Sequence, residues 1–77
     1  DVWSCGIILY IILYNCFPWY KATQDDRNYK SYLSSIKNNN NYFSKHHNLF
    51  SKFLDPNPNT RSQIKDITTE LNYLYIL

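Results

Sequence analysis

Asp1-Val2-Trp3-Ser4-Cys5-Gly6-Ile7-Ile8-Leu9-Tyr10-Ile11-Ile12-Leu13-Tyr14 opens the chain, and the remaining residues are arranged around it. The eight residues after Gly6 are all apolar or aromatic, so a helix built from them has no polar face for water. Such a helix lies inside a domain or in a membrane, and a membrane span needs roughly 20 apolar residues. The run is shorter than that, so we predict a central buried helix over 1–14. Asp1 caps this helix, Asn15 closes it and Pro18 prevents its continuation.

Three outer helices are predicted after the central one, at about 25–37, 44–53 and 61–74. Thr23 or Asp25 would cap the first, Ser44 the second, and Thr60 or Ser62 the third. Apolar residues recur in each at helical spacing, as at Tyr29, Tyr32, Leu33 and Ile36, at His46, Leu49, Phe50 and Phe53, and at Ile64, Ile67, Leu71 and Leu74. No segment alternates as a strand would, so the predicted fold class is all-α.

Charge and cysteine content limit the partners and the compartment. The net charge is +2, with 8 basic and 6 acidic residues scattered along the chain. No basic block marks a nucleic-acid or membrane-surface site, so neither partner is expected. Cys5 and Cys16 lie about three turns apart, too far for a disulfide within one helix. Buried free thiols are expected instead, in a reducing compartment such as the cytoplasm or the nucleus.

Two motifs at opposite ends of the chain resemble a known family. Asp1-Val2-Trp3-Ser4-x-Gly6, followed by Phe17-Pro18-Trp19 and then by Asp55-Pro56-Asn57-Pro58-Asn59-Thr60-Arg61, is similar to the large lobe of eukaryotic serine/threonine protein kinases. The segment Pro18-Trp19-x-Lys21-Ala22, with Asp25-Asp26, Tyr29 and Tyr32-Leu33, also resembles a fungal group of such kinases that regulate meiosis and nutrient response. The resemblance covers nearly the whole chain. It implies an all-α fragment, the C-terminal helical portion of the two-lobed α+β kinase fold.

The resemblance also implies where the chemistry lies. A kinase needs a glycine-rich loop, a lysine, a catalytic aspartate and magnesium ligands. The only glycine is Gly6, and neither His-Arg-Asp nor Asp-Phe-Gly occurs. The N-lobe and the catalytic loop are therefore absent from this sequence. The complete domain would use ATP and magnesium, whereas these residues include no catalytic, cofactor or metal ligand. The pair His46-His47 favours a packed or solvated arrangement over a metal site, since neighbouring helical residues diverge.

Several residues carry structural or partner roles if the resemblance holds. The implied structural anchors are Asp1, Trp3, Gly6 and Arg61. Asp1 would hold the catalytic loop to the central helix, with a plain N-cap as the alternative; Arg61 would pair with a glutamate elsewhere in the domain, with a solvated arginine as the alternative. The candidate surface for a protein substrate or partner consists of Phe17, Pro18, Trp19 and Tyr20, which are apolar or aromatic around one turn.

The predicted function is that of the C-terminal portion of a serine/threonine kinase, inactive by itself and needing the remainder of the domain. The alternatives are a pseudokinase or interaction module and, third, a membrane-anchored peptide. Because three short helices cannot surround the apolar run, we also expect part of it to stay exposed in this chain.

Overall fold

The computed structural model describes residues 2–43 and 46–67, and within them the chain is all-helical. It contains α1 (Val2–Tyr14), α2 (Arg27–Lys37) and α3 (His47–Phe53), followed by a 3₁₀ turn at Ile64–Asp66. No strand occurs in these two ranges. The predicted fold class is therefore confirmed for the described part of the chain.

Helix α1 ends as its sequence predicts. The Asn15 N–H donates to the Ile11 carbonyl at 2.8 Å, and Asn15 itself takes a left-handed conformation with φ of 58°. Asparagine tolerates this region better than most residues, so it stops the helix at low cost. The cap predicted at Asp1 lies outside the described residues.

Only one face of α1 is covered. Gly6 is its buried residue, and this face lies against α3. On the other face Ile8 is 57% exposed and Ile12 is 71% exposed. The expectation of a partly exposed apolar run is confirmed. Complete burial of the helix, as a central helix requires, is not found among the described residues.

The prediction of buried thiols was wrong. Cys5 and Cys16 are both free, as predicted, and both are exposed. Cys5 lies on the uncovered side of α1, and Cys16 directly follows the left-handed residue Asn15. When a helix is apolar all round, its sequence does not indicate which face will be covered. Cys5 is exposed because it lies on the face that is not covered.

The core lies between α1, α2 and α3 and is rich in aromatic rings. Helix α2 contributes Tyr29 and Tyr32, as its spacing predicts, whereas Ile36 is 42% exposed and the small Ser35 is buried in its place. The remaining buried apolar residues are Trp19, Phe43, Leu49, Phe50, Phe53, Leu54 and Ile67. Helix α3 begins at His47, inside the predicted 44–53, and the predicted cap Ser44 lies outside the described residues.

The helix predicted over 61–74 is absent from its described part. Residues 61–63 are irregular, and one 3₁₀ turn follows at Ile64–Asp66. Thr60 lies in the preceding turn, where its hydroxyl donates to the Asp55 carboxylate at 2.7 Å. Arg61 is held in the same turn, since its backbone N–H donates to the Asn57 carbonyl at 3.0 Å. The residues from 68 onward lie outside the described ranges.

Candidate functional site

Asp26 organises the loop between α1 and α2. It is the N-cap of α2 and accepts the Tyr29 N–H at 3.0 Å. Its second carboxylate oxygen accepts the N–H groups of Tyr20 and Lys21, at 2.7 and 2.9 Å. These bonds favour the ionised carboxylate, so the Lys21 N–H, followed by that of Tyr29, lowers the pKa of Asp26. One side chain thus ties the loop to the start of the next helix.

The loop divides the four residues of the candidate partner surface into two pairs. Pro18 and Trp19 are buried, whereas Phe17 is 69% exposed and Tyr20 is 83% exposed. The Trp19 ring stacks on Tyr32, with centroids 5.1 Å apart and planes 24° apart. Trp19 therefore anchors the loop to the core, while Phe17 and Tyr20 present apolar surface to solvent.

An open apolar cavity of about 250 Å³ is lined in part by the two exposed rings. We call it the loop pocket, and its lining residues are Phe17, Trp19, Tyr20 and Asn28. Asn28 is in the first turn of α2, and its carbonyl accepts a long hydrogen bond of 3.3 Å from the Tyr42 hydroxyl. The pocket is therefore built jointly by the loop that Asp26 fixes and by the helix that Asp26 caps.

A second, open cavity lies along α2. It has a volume of about 380 Å³, and we call it the α2 groove; it is lined by Arg27, Lys30, Ser31, Ser34, Ser35, Asn38 and Asn40. Two of these side chains are cationic, and the others are hydroxyls and amides. None of the lining residues is acidic.

The two ends of the kinase-like pattern come together in space. The Arg61 guanidinium carbon lies 4.9 Å from the centre of the Trp3 ring, within the range of a cation–π contact. Its Nε donates to the Asp55 carbonyl at 2.8 Å. An open cleft of about 330 Å³ lies beside them and is lined by Trp3, Ala22, Tyr29, Pro56 and Arg61. Arg61 is half-buried, so it is neither a freely solvated arginine nor an enclosed one.

Gly6 lies directly against the C-terminal end of α3. A Cβ placed at Gly6 would lie 2.6 Å from the Phe53 Cβ and 2.9 Å from the Leu54 Cδ2. Both distances are shorter than atoms can tolerate, so a side chain here would force the helices apart. The anchoring role of Gly6 in a kinase lobe stays a prediction, and Asp1 lies outside the described residues.

A cavity of about 400 Å³ adjoins His47 and the turn of asparagines at 39–41. The His47 Nδ1 atom is buried without a partner among the described residues, and its ring stacks on Phe43. His46 instead packs edge-on against Tyr14 and Phe50. No group of three or more His, Cys, Asp or Glu side chains gathers anywhere in the described ranges.

Sequence reasoning missed two residues of this region. Asp26 was expected in the first turn of α2, with Thr23 or Asp25 as the cap, and it is the cap itself. The Tyr32 hydroxyl, fully buried, donates to the Leu54 carbonyl at 2.7 Å, and burial raises the pKa of Tyr32 well above its usual range. The helical spacing identified the Tyr32 ring but gave no signal for its hydrogen bond.

Among the described helices, none combines the length and the apolarity that crossing a bilayer requires. No family model matches the chain, and no solved structure matches it. Several curated proteins do.

The similar proteins are plant protein kinases. CBL-interacting serine/threonine-protein kinase 20 of Arabidopsis thaliana is 36% identical over 67 residues, which cover 87% of this chain and 15% of the relative. CBL-interacting serine/threonine-protein kinase 24 of the same plant is 36% identical over 81 residues, covering 99% and 18%. CBL-interacting protein kinase 20 of Oryza sativa subsp. japonica is 33% identical over 67 residues, covering 87% and 14%.

The chain thus spans about 15% of the length of these relatives. Its similarity to them supports a relationship to serine/threonine protein kinases. The narrower resemblance to a fungal kinase group receives no support from these plant proteins.

Proposed function

We propose that this chain is part of the helical large lobe of a serine/threonine protein kinase, which transfers the γ-phosphoryl group of ATP to serine and threonine hydroxyls of proteins. The observation that carries the proposal is the similarity to kinases over 87% of the chain at 36% identity. The contact between Trp3 and Arg61 adds support, because it joins the two motifs on which the resemblance rests. In this proposal the chain is inactive by itself.

The residues of this chain do not fit ATP or magnesium. A phosphate-binding loop needs flexible glycines whose N–H groups point at the ligand. The only glycine, Gly6, is buried within α1 against Phe53 and Leu54. We therefore assign no nucleotide contact and no catalytic step to these residues, and we place the phosphoryl-transfer machinery of the complete domain outside them.

The role we propose for these residues is structural. Trp3, Gly6 and Arg61 hold α1, α3 and the 55–61 turn together, and Asp1 would connect α1 to the catalytic loop. Arg61 has one donor committed to the Asp55 carbonyl, and its cleft opens beside Trp3. A glutamate from the remainder of the domain entering this cleft would form a charge-assisted pair with the guanidinium.

The proposed partners are a protein substrate and the remainder of the kinase domain. The remainder would cover the exposed face of α1, where Ile8 and Ile12 lie open to water. We propose neither a nucleic-acid nor a membrane partner, because the chain has a net charge of only +2 with no basic block. The free thiols of Cys5 and Cys16 favour a reducing compartment, the cytoplasm or the nucleus.

A pseudokinase or interaction module is the second candidate. It is favoured by the exposed rings of Phe17 and Tyr20, which could bind a protein without any catalysis. The two candidates share the same lobe and differ in whether the complete protein transfers phosphate.

Phosphoryl transfer by the full-length protein separates them. The protein is incubated with magnesium and ATP labelled at the γ-phosphate, together with a mixture of serine- and threonine-containing peptides, and the 77-residue chain is assayed in parallel. We expect label in the peptides with the full-length protein and none with the chain alone. Absence of transfer by a folded full-length protein would favour the interaction module, and transfer by the chain alone would overturn the structural role proposed here.

A further inference from the structure

The loop pocket is walled mainly by aromatic residues. Phe17, Trp19 and Tyr20 are three of its four lining residues, and its volume is about 250 Å³. Phe17 is 69% exposed and Tyr20 is 83% exposed, and neither ring contacts another aromatic ring within the described ranges. The faces of these two rings are therefore available to a ligand.

The backbone that carries the aromatic wall is held in place before any ligand binds. The Asp26 carboxylate accepts the N–H groups of Tyr20 and Lys21, at 2.7 and 2.9 Å. The neighbouring Trp19 is held in the core, because its ring stacks on that of Tyr32. A prearranged site loses less conformational entropy when a ligand binds.

The aromatic rings, and not the formal charges near them, select the ligand. Residues 21–27 contain two acids, Asp25 and Asp26, and two bases, Lys21 and Arg27, so their formal charges cancel. The face of an aromatic ring is negative and attracts a cation. A lysine ammonium holds its water tightly, which opposes its transfer to an aromatic site. A quaternary ammonium group spreads its charge over methyl groups, so it loses water more easily and also fills apolar space.

Two common sources of a quaternary ammonium group are a trimethyllysine side chain and a choline lipid headgroup. The choline headgroup also carries an anionic phosphate, which needs a cationic partner. None of the four lining residues is cationic, and the charged group that is hydrogen-bonded to Tyr20 is the Asp26 carboxylate. The pocket therefore favours trimethyllysine, which has no phosphate beside the ammonium group.

We propose that the loop pocket binds the trimethylammonium group of a trimethyllysine side chain in a protein partner. Phe17 and Tyr20 contact this group through their ring faces, and Trp19 and Asn28 complete the wall. The inference goes beyond the proposed function, because it concerns recognition of a modified protein and needs no phosphoryl transfer.

The test uses the full-length protein and fluorescein-labelled synthetic peptides in a polarisation titration without ATP. The probe is a short, otherwise uncharged peptide with one central trimethyllysine. One matched peptide has unmodified lysine at that position, and another has the neutral isostere in which carbon replaces the ammonium nitrogen. We expect the trimethyllysine peptide to bind, and each matched peptide to bind at least about fivefold more weakly.

Variants assign the binding to the two exposed rings. Phe17→Ala and Tyr20→Leu should each weaken binding of the trimethyllysine peptide by about fivefold or more, because each removes an aromatic face. Tyr20→Phe retains the face, so it should change binding by less than about twofold. Both residues are exposed, so thermal unfolding of these variants should stay close to that of the wild type.

A control substitution lies outside the pocket. Ile36→Ala removes a 42% exposed apolar side chain of α2 that does not line the loop pocket. It should change binding by less than about twofold.

Four results would overturn the proposal. The first is no binding of the trimethyllysine peptide by the folded protein. The second is equal binding of the neutral isostere, which would make the pocket a site for apolar groups in general. The third is binding that survives both Phe17→Ala and Tyr20→Leu unchanged. The fourth is tighter, Tyr20-dependent binding of phosphatidylcholine vesicles, which would assign the pocket to a lipid headgroup instead.

Discussion

Replacing Gly6 by alanine tests the close approach of α1 and α3. The added methyl group would lie 2.6 Å from the Phe53 Cβ and 2.9 Å from the Leu54 Cδ2, whereas ordinary contacts begin near 3.4 Å. The Leu54 side chain can rotate away, but the Phe53 Cβ is attached directly to the backbone of α3. Relief of the overlap therefore requires α3 to move by most of an ångström.

The magnitude follows from two opposing effects. Overpacking of a close-packed interface costs about 1–3 kcal/mol, and the upper end applies where a backbone-anchored atom must move. Alanine in place of glycine within a helix returns up to about 1 kcal/mol. The net effect of Gly6→Ala is therefore a loss of about 2 kcal/mol in the free energy of unfolding.

Urea titration of the full-length protein, followed by tryptophan fluorescence, measures this loss as a lower midpoint. Cys5→Ala is the matched control, because Cys5 is the neighbouring residue on the same helix and is exposed. It should leave the midpoint unchanged or raise it slightly, since helix propensity alone acts there. If Gly6→Ala also left the midpoint unchanged or raised it, the inferred contact with Phe53 would be refuted.

Three further predictions concern single hydrogen bonds and contacts. Tyr32→Phe should lower the free energy of unfolding by about 1–2 kcal/mol in a urea titration, because it leaves the buried Leu54 carbonyl without its donor; equal stability would mean that another group satisfies that carbonyl. Arg61→Ala should cost about 1–2 kcal/mol through loss of the Trp3 contact and the Asp55 hydrogen bond, and Arg61→Lys should not restore it, because an ammonium lacks the planar donor array. The pKa of Asp26 is lower in the folded chain than in the unfolded one, so its stabilising contribution is present above about pH 4 and is lost as the pH falls through the lower folded value. Thermal melts across the acid range should therefore show a smaller acid destabilisation for Asp26→Asn than for the wild type, and identical pH profiles would contradict the assigned hydrogen bonds.

The spacing of apolar residues correctly predicted which faces of α2 and α3 are buried. The spacing of Tyr29 and Tyr32, and that of Leu49, Phe50 and Phe53, correctly identified the buried faces of α2 and α3. The reason is physical, because a short helix against a core must place its apolar residues three and four apart.

Features that depend on the course of a loop were not predictable in this way. Thr23, Asp25 and Asp26 are all suitable caps, and the choice of Asp26 depends on where the Tyr20 and Lys21 N–H groups come to lie. The expectation of a helix from residue 61 failed for a similar reason. The Thr60 hydroxyl donates to the Asp55 carboxylate, so Thr60 belongs to the 55–61 turn and not to a new helix. The spacing of apolar residues does not predict this hydrogen bond.

The candidate site also combines features that the sequence predicted with features that it did not. The sequence identified Phe17 and Tyr20 as part of an apolar turn, but it could not separate them from the buried Pro18 and Trp19. Nor did it reveal the α2 groove, because the charged residues of α2 look like an ordinary solvated face until the cavity beside them is seen.

The proximity of the two tryptophans has a spectroscopic consequence. The Trp3 and Trp19 rings, one from α1 and the other from the following loop, have centroids 5.8 Å apart and planes inclined by 35°. Transition dipoles this close and skewed mix their excited states, which produces a paired positive and negative band in the circular dichroism of the indoles. This couplet depends on the mutual orientation of the two rings and not on helix content. Its disappearance would therefore report separation of α1 from the loop even when the far-ultraviolet helical signal is unchanged.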